Sequence, residues 1–389
     1  MTVSGRVEAG FEPVRDLLER QFAEGMHIGA GVCVYHRGRP VVDIWGGEAE
    51  RGSGRMWDGD TMALCYSVTK GLTATCVHIL ADRGLVDYDV PVSKYWPEFA
   101  SNGKGAITVR HVLTHQAGIP QLPDGVTAED VLDWETMVRG MESLEPVWEP
   151  GTDSGYHALN FGWLAGEIVR RVDGRSVGQF FREEVAAPLG IADDIHIGTR
   201  PEHEPRIAKL TSVVELTPEM EKQRAAFFGP ESLAARALGM NLGNFGDVID
   251  SPAGHQAQVP AANGVMSARA LARMYACLAG GGELDGVRLL SAERVRIMSE
   301  RQTYRPDRVL VLPVHWSLGY MNGGSDGWPQ GPRVTAFGHP GAGGSLGQCD
   351  PEVGLAFAFV TNALNLDLVG AGRTAALADA ARACAEGTA

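Results

Sequence analysis

Met62-Ala63-Leu64-Cys65-Tyr66-Ser67-Val68-Thr69-Lys70-Gly71-Leu72 is the stretch around which the rest of the chain is organised. An apolar lead-in ends at Tyr66. From Ser67 to Ala81, Leu72, Cys76, Ile79 and Leu80 recur on one helical face, and Gly84 is placed to stop the helix. A serine opening such a helix lies beside unpaired backbone N–H groups, and Lys70 returns to the same face one turn later. Hydroxyl and amine then touch. A partly desolvated amine can take the serine proton or hold a neighbouring base in its reactive form, the S-x-x-K strategy for acyl transfer. The plainer reading of the same residues is a helix start with a capping serine.

Two other serines compete. Ser101-Asn102-Gly103-Lys104 repeats the S-x-x-K spacing, but it contains Asn-Gly, follows the turn-prone Trp96-Pro97 and leads no apolar helix, so it reads as a loop. Ser345, in Gly343-Gly344-Ser345-Leu346-Gly347, fits the G-x-S-x-G nucleophile pattern. That pattern works on a strand-to-helix turn. Here the turn-forming Gln348 to Gly354 follows, then an apolar strand, which indicates a hairpin.

Upstream, Phe11, Val14, Leu17, Leu18 and Phe22 predict an amphipathic helix over Val7–Ala23, followed by strands Ile28–Tyr35 and Pro40–Trp45. Residues 106 to 290 read mainly as helices and loops, with helices at Thr108–His115, Ala128–Met141, Asn160–Val172, Ser176–Glu184 and Ser267–Leu278. Periodicity is weak over 201 to 260. Strand character returns at His315–Met321, Arg333–Gly338, Gly343–Cys349 and Val353–Thr361, before an Ala-rich helix over Asp367–Glu386. The expected architecture is α/β (α+β): a sheet domain assembled from 1–84 and 290–389, a mostly helical domain inserted over 85–289, and an active site between them.

The 389 residues carry 34 basic and 48 acidic side chains, a formal charge of −14, which argues against a nucleic-acid surface. At 44% hydrophobic and 21% charged the chain has material for a large core. No apolar run reaches the ~18 residues a membrane span requires, and no secretory leader is evident, so a cytoplasmic protein is expected. Cys33, Cys65, Cys76, Cys277, Cys349 and Cys384 lack C-x-x-C spacing and read as buried reduced thiols.

Ser67-Val68-Thr69-Lys70, then Thr108 to Gly118, Tyr156 after Pro150-Gly151, Trp163 to Val169, and His339-Pro340-Gly341-Ala342-Gly343-Gly344 occur in that order. Together they resemble the serine β-lactamase and penicillin-binding-protein superfamily, in its class C β-lactamase-like branch that includes family VIII carboxylesterases. The resemblance covers about residues 10 to 370 and implies a β-lactamase/transpeptidase-like fold, with an antiparallel sheet flanked by helices. It implies Ser67 as acyl-accepting nucleophile, Lys70 and Tyr156 as a coupled base pair, and an oxyanion hole from the backbone N–H groups of Ser67 and Ala342. A tyrosine of pKa about 10 needs nearby positive charge to act as a base, and Lys70 is expected to supply it.

Two departures bear on the substrate. The β-lactamase pattern has Asn two residues after the tyrosine, where this chain reads Tyr156-His157-Ala158, and Lys-Thr-Gly where it has His339-Pro340-Gly341. Those groups help hold a β-lactam and its carboxylate, so the combination points to esters. His339, Gly341 and Trp316 are candidate substrate contacts, with Tyr320 and the Trp148 loop as pocket walls. His115 reads as a loop-bonding residue, and His157 as pointing away from the pocket. His111 and His115, four apart on a helix, lack the H-E-x-x-H glutamate for a metal site.

The function expected is hydrolysis of carboxylic esters through a Ser67 acyl-enzyme, on a small-molecule acyl ester or amide substrate, with neither metal nor organic cofactor. Acyl transfer to an alcohol or amine by an acyltransferase or amide synthase, a D-amino-acid peptidase, a weak β-lactamase, and a non-catalytic binding protein are the alternatives.

Overall fold

Strands from both ends of the chain meet in one antiparallel sheet. β1 (Ser4–Val7), β2 (Gly29–His36), β3 (Arg39–Gly47), β4 (Thr303–Pro306), β5 (Pro313–Trp316), β6 (Met321–Asn322), β7 (Phe337–Pro340), β8 (Leu346–Asp350) and β9 (Leu355–Thr361) lie in the order β1-β3-β2-β9-β8-β7-β6-β5-β4. The join is β9 on β2, with Leu355 opposite His36 and Thr361 opposite Ala30. The computed structural model describes residues 3–214, 217–229, 231–325, 327–365 and 372–387. Among these, no helix is long and apolar enough to cross a membrane.

Four helices build the layers around this sheet: α1 (Glu12–Ala23), α2 (Thr69–Asp82), α3 (Ala268–Ala279) and α4 (Arg373–Gly387). Strand alternation assigns the faces. Leu355, Phe357 and Phe359 of β9 join Val32 and Val34 of β2 in one cluster with Val14, Leu18, Phe22 and Leu377 of α1 and α4. Ala356, Ala358 and Val360 turn the other way, with Cys33, Leu271 and Met274. Small residues on this second face let α3 approach closely. Helix α2 is buried on every side, from Thr69 to Ala81, as a central helix must be.

A second, three-stranded sheet pairs Ala63–Leu64 and Ile195–Ile197 with Gly264–Met266 and leads directly into Ser67. The helix Ala268–Ala279, inside the segment expected to form the inserted domain, packs on the main sheet.

Several expected elements differ. The first helix starts at Glu12, because Ser4–Val7 pairs with β3 as an edge strand and Pro13 suits a first helical turn. Edge strand β4 was not expected. Pro306 is tolerated there because an edge leaves one row of N–H groups unpaired. His315–Met321 is two strands, folded back so that Trp316 pairs with Met321. Gly319 permits this turn at φ +86°, where a Cβ would lie 2.5 Å from that of Ala74 on α2. The strand expected at Arg333–Gly338 runs over Phe337–Pro340. Ala128–Met141 breaks at Asp133, whose carboxylate caps the helix Trp134–Ser143 at Thr136. The unreadable 201–260 stretch holds short helices, among them Leu233–Leu238 and Pro252–Gln256. The start of the Asp367–Glu386 expectation lies outside the described residues; the described helix begins at Arg373.

Candidate active site

Ser67 sits in the turn before α2, not in the helix itself. Its predecessor Tyr66 has φ +45°, a left-handed conformation unfavourable for a residue with a Cβ. Surrounding bonds hold it there. Cys65 donates its N–H to the Gly264 carbonyl at 2.8 Å, and Thr69 Oγ1 accepts from the Gly264 N–H at 2.7 Å while donating to the Tyr66 carbonyl. Strain of this kind is retained where the surroundings over-determine it, and here it presents Ser67 at the head of the buried helix.

Lys70 Nζ lies 3.1 Å from Ser67 Oγ, 2.6 Å from the Ala158 carbonyl and 3.1 Å from the Ala261 carbonyl. Complete burial holds its pKa well below the ordinary lysine value. A neutral amine has two hydrogens and one lone pair. Were its two hydrogens given to the two carbonyls, such an amine would direct its lone pair at Ser67 Oγ.

Tyr156 completes the group, its ring 4.7 Å from Lys70 Nζ. Burial pushes the phenol pKa up, a hydrogen bond with Ser67 opposes the rise, and the Asp307 carboxylate adds to it. Burial thus lowers the Lys70 pKa and raises that of Tyr156, disfavouring the charged form of each.

His339, Trp316 and His115 surround the Tyr156 ring. Trp316 is wholly enclosed and stacks on Tyr156, which makes it a backing surface. His339 lies near-parallel to Tyr156 at 6.0 Å, its Nδ1–H donated to the Pro340 carbonyl at 2.7 Å, and burial lowers its pKa to about 3. Its Nε2 is then a bare acceptor without a partner in the protein. His115 packs edge-on to Tyr156 at 5.1 Å and accepts the His157 N–H on Nδ1. It lies beyond the helix Val109–Leu113 at φ +56°, so the expected pairing of His111 and His115 on one helix does not form. His157 is tied to the Ile119 N–H and the Gly155 carbonyl. Tyr320 hydrogen-bonds Thr75 beneath α2, and Trp148 packs edge-on to His157.

The end of β7 abuts the turn that carries Ser67. A Cβ on Gly341 would lie 2.1 Å from the Cys65 carbonyl oxygen, so only glycine lets the strand end come this close. The next residue is Ala342. Among the described residues, neither its N–H nor that of Ser67 donates to another protein group. Ser345 Oγ instead accepts the Thr361 N–H at 3.3 Å and stands before β8, with no helix following. Lys104 lies in a turn and caps the carbonyls of Ser101, Glu142 and Leu144.

The Beta-lactamase family model matches residues 14–382. The chain belongs to the β-lactamase family. Among curated relatives, it is 41% identical over 380 residues to the Esterase/beta-lactamase LipL of Mycobacterium tuberculosis, covering 94% of this chain and 85% of that protein. Among solved structures, a family VIII carboxylesterase superposes with a TM-score of 0.89 at 36% identity, over 99% of this chain and all of the other. A penicillin-binding protein homologue from Caulobacter crescentus gives 0.87 at 34%, over 99% and 100% of the two chains.

For a β-lactamase family member, the two departures noted in the sequence have a clear geometry. Ala158 has no side-chain amide to offer and holds Lys70 through its carbonyl. His339, neutral through burial, replaces a cation with an acceptor. Three site features escaped the sequence. The carbonyls of Ala158 and Ala261 leave no side-chain signature, the His115 ring contacts span some forty residues, and Asp307 sits in what reads as an ordinary Pro-Asp turn.

Proposed function

We propose that the protein is a serine hydrolase of small-molecule carboxylic esters, acting through a Ser67 acyl-enzyme. The observation that carries this is the buried Lys70 Nζ, 3.1 Å from Ser67 Oγ and 2.6 and 3.1 Å from the Ala158 and Ala261 carbonyls, which lets the amine, when neutral, take the Ser67 proton.

In acylation Lys70 takes the Ser67 proton as Oγ attacks the ester carbonyl, and the Ser67 and Ala342 N–H groups receive the developing oxyanion. Each such donor is worth about 3 to 4 kcal/mol in other acyl-transfer enzymes. Collapse expels the alkoxide, which takes the Tyr156 proton and leaves as alcohol. Lys70 is then an ammonium and Tyr156 a phenolate. In deacylation the phenolate takes a proton from the attacking water, and as the acyl–Oγ bond breaks the ammonium returns its proton to Ser67. Acid and base roles of this kind contribute about 10²- to 10⁴-fold each.

The names of the relatives and the neutral His339 support an ester over a substrate carrying a carboxylate at that point. Cys33, Cys65, Cys76, Cys277 and Cys349, buried as thiols, support a reducing, cytoplasmic setting. The test is hydrolysis of p-nitrophenyl esters from acetate to octanoate by wild type and folded Ser67→Ala. Turnover by wild type alone is expected; activity retained in the variant overturns the nucleophile.

A further inference from the structure

Asp307 opens the turn between β4 and β5 and is buried, at 1% exposure. Its Oδ1 accepts three backbone N–H groups, from Val309 and Leu310 at 2.9 Å each and from Tyr156 at 3.0 Å. The first two are the ordinary self-capping of a turn by aspartate. The third reaches 151 positions along the chain. Among the described residues the indole of Trp316 faces the carboxylate and stabilises its charge, Oδ2 has no well-aligned hydrogen bond, and no cation pairs with it. Arg308, next door, turns to Asp153 at 3.6 Å. An enclosed carboxylate without countercharge is costly, and capping alone does not require one.

The same turn grips the rest of the Tyr156 loop. Arg308 donates its N–H to the Ser154 carbonyl at 2.9 Å, and the Arg305 guanidinium donates to the Thr152 carbonyl at 2.6 Å. Val309 and Leu310 share an apolar cluster with Tyr156. The turn closes with Val311 at φ +57°, rare for a β-branched residue, its N–H on the Asp307 carbonyl at 2.8 Å.

We infer that Asp307 is a positioning residue for Tyr156, fixing its backbone from the β4–β5 turn and presenting a negative charge to the phenol. The inference rests on the Ser67, Lys70 and Tyr156 chemistry proposed above. The groups facing Tyr156 are Lys70 from α2, His115 from the loop after Val109–Leu113, His157 from its own loop, His339 from β7 and Asp307. Burial keeps the three histidines neutral, so Asp307 supplies the anion that disfavours the phenolate.

Asp307→Asn keeps the shape and the acceptor oxygen while removing the charge. A neutral amide oxygen holds the three N–H groups more weakly than a carboxylate does, so the folded variant is expected to lose about tenfold to a hundredfold in kcat with KM little changed, as a small misplacement of a reacting group does. The alkaline limb of kcat/KM, which reports loss of the Tyr156 proton, should move to lower pH. In a Tyr156→Phe background the same substitution should have no further effect on kcat. An unmoved limb, or an equal loss in both backgrounds, overturns the inference. If Asp307→Asn does not fold, Asp307→Ser is carried through the same cycle; if neither folds, Asp307 is a folding determinant and the inference is overturned. A Tyr156→Phe enzyme with wild-type kcat overturns the proposed chemistry instead.

Discussion

Tyr156 and Trp316 lie ring on ring, 14° from parallel with centroids 5.7 Å apart, and no part of Trp316 reaches solvent. The indole therefore carries two loads, filling the core and backing the tyrosine. Trp316→Ala should destabilise the fold by about 3 to 5 kcal/mol through the cavity it leaves. It should also lower kcat more than Trp316→Phe, which keeps a ring behind Tyr156. Urea midpoints and steady-state kinetics on both variants check this; equal kcat in the two would remove Trp316 from the positioning of Tyr156.

Lys70→Arg puts a permanently charged group where a lone pair is required. Single-turnover acylation by a p-nitrophenyl ester should slow by about 10²- to 10⁴-fold. In the wild type the active form is the neutral amine, so acylation should rise with pH through the Lys70 pKa. That rise is expected below the ordinary lysine range, because burial lowers the value. Acylation by Lys70→Arg within a few-fold of wild type would rule out Lys70 as the base.

Gly341→Ala would place a methyl 2.1 Å from the Cys65 carbonyl and push the Ala342 N–H away from Ser67. Loss of one oxyanion donor predicts a fall of about 10²- to 10³-fold in kcat. Ser345→Ala, whose hydroxyl receives the Thr361 N–H and hydrogen-bonds the Cys65 thiol, should leave kcat close to wild type. The reverse pattern, measured on folded proteins, would exchange the two serines' roles.

His27, His78, His157 and His339 are each held at a pKa of about 3, chiefly by burial, against an ordinary value of 6.5. Well above pH 6.5, from about pH 8, they are neutral in both folded and unfolded chains and contribute no pH dependence. As pH falls from 6.5 toward 3 the unfolded chain binds protons that the native state refuses. Stability should then drop by up to about 1.4 kcal/mol per pH unit for each histidine. Urea midpoints at pH 7.5, 6.5 and 5.5 should decline, and about threefold more steeply across the lower interval; a flat series contradicts the burial of these rings.

What could be read from the sequence follows from the range of the forces involved. Ser67 and Lys70 are one helical turn apart, and β2, β3, β8 and β9 announce themselves by alternating or continuous apolar residues, so local periodicity was sufficient for them. Tyr156 and Ala342 were reached only through an ordered set of motifs, because nothing local distinguishes a catalytic tyrosine from a core one. Edge strand β4 and the Gly319 reversal are set by what packs beside them: β5 in one case and Ala74 of α2 in the other. The proton distribution between Lys70 and Tyr156 depends on a distributed environment of the same kind. Charge attraction can be estimated from neighbours in a motif, whereas desolvation depends on everything that encloses the pair.

The lodging of β9 between β2 and β8 also dictates an order of events during synthesis. The β2–β3 hairpin leaves the ribosome early, yet the edge that β9 will cover stays open until residues 355–361 have emerged. Pairings so far apart in sequence form slowly, and an uncovered apolar strand invites association with other chains in the meantime. Truncation a few dozen residues from the C-terminus would therefore leave the Ser67–Lys70 segment intact and still yield an inactive, aggregation-prone product.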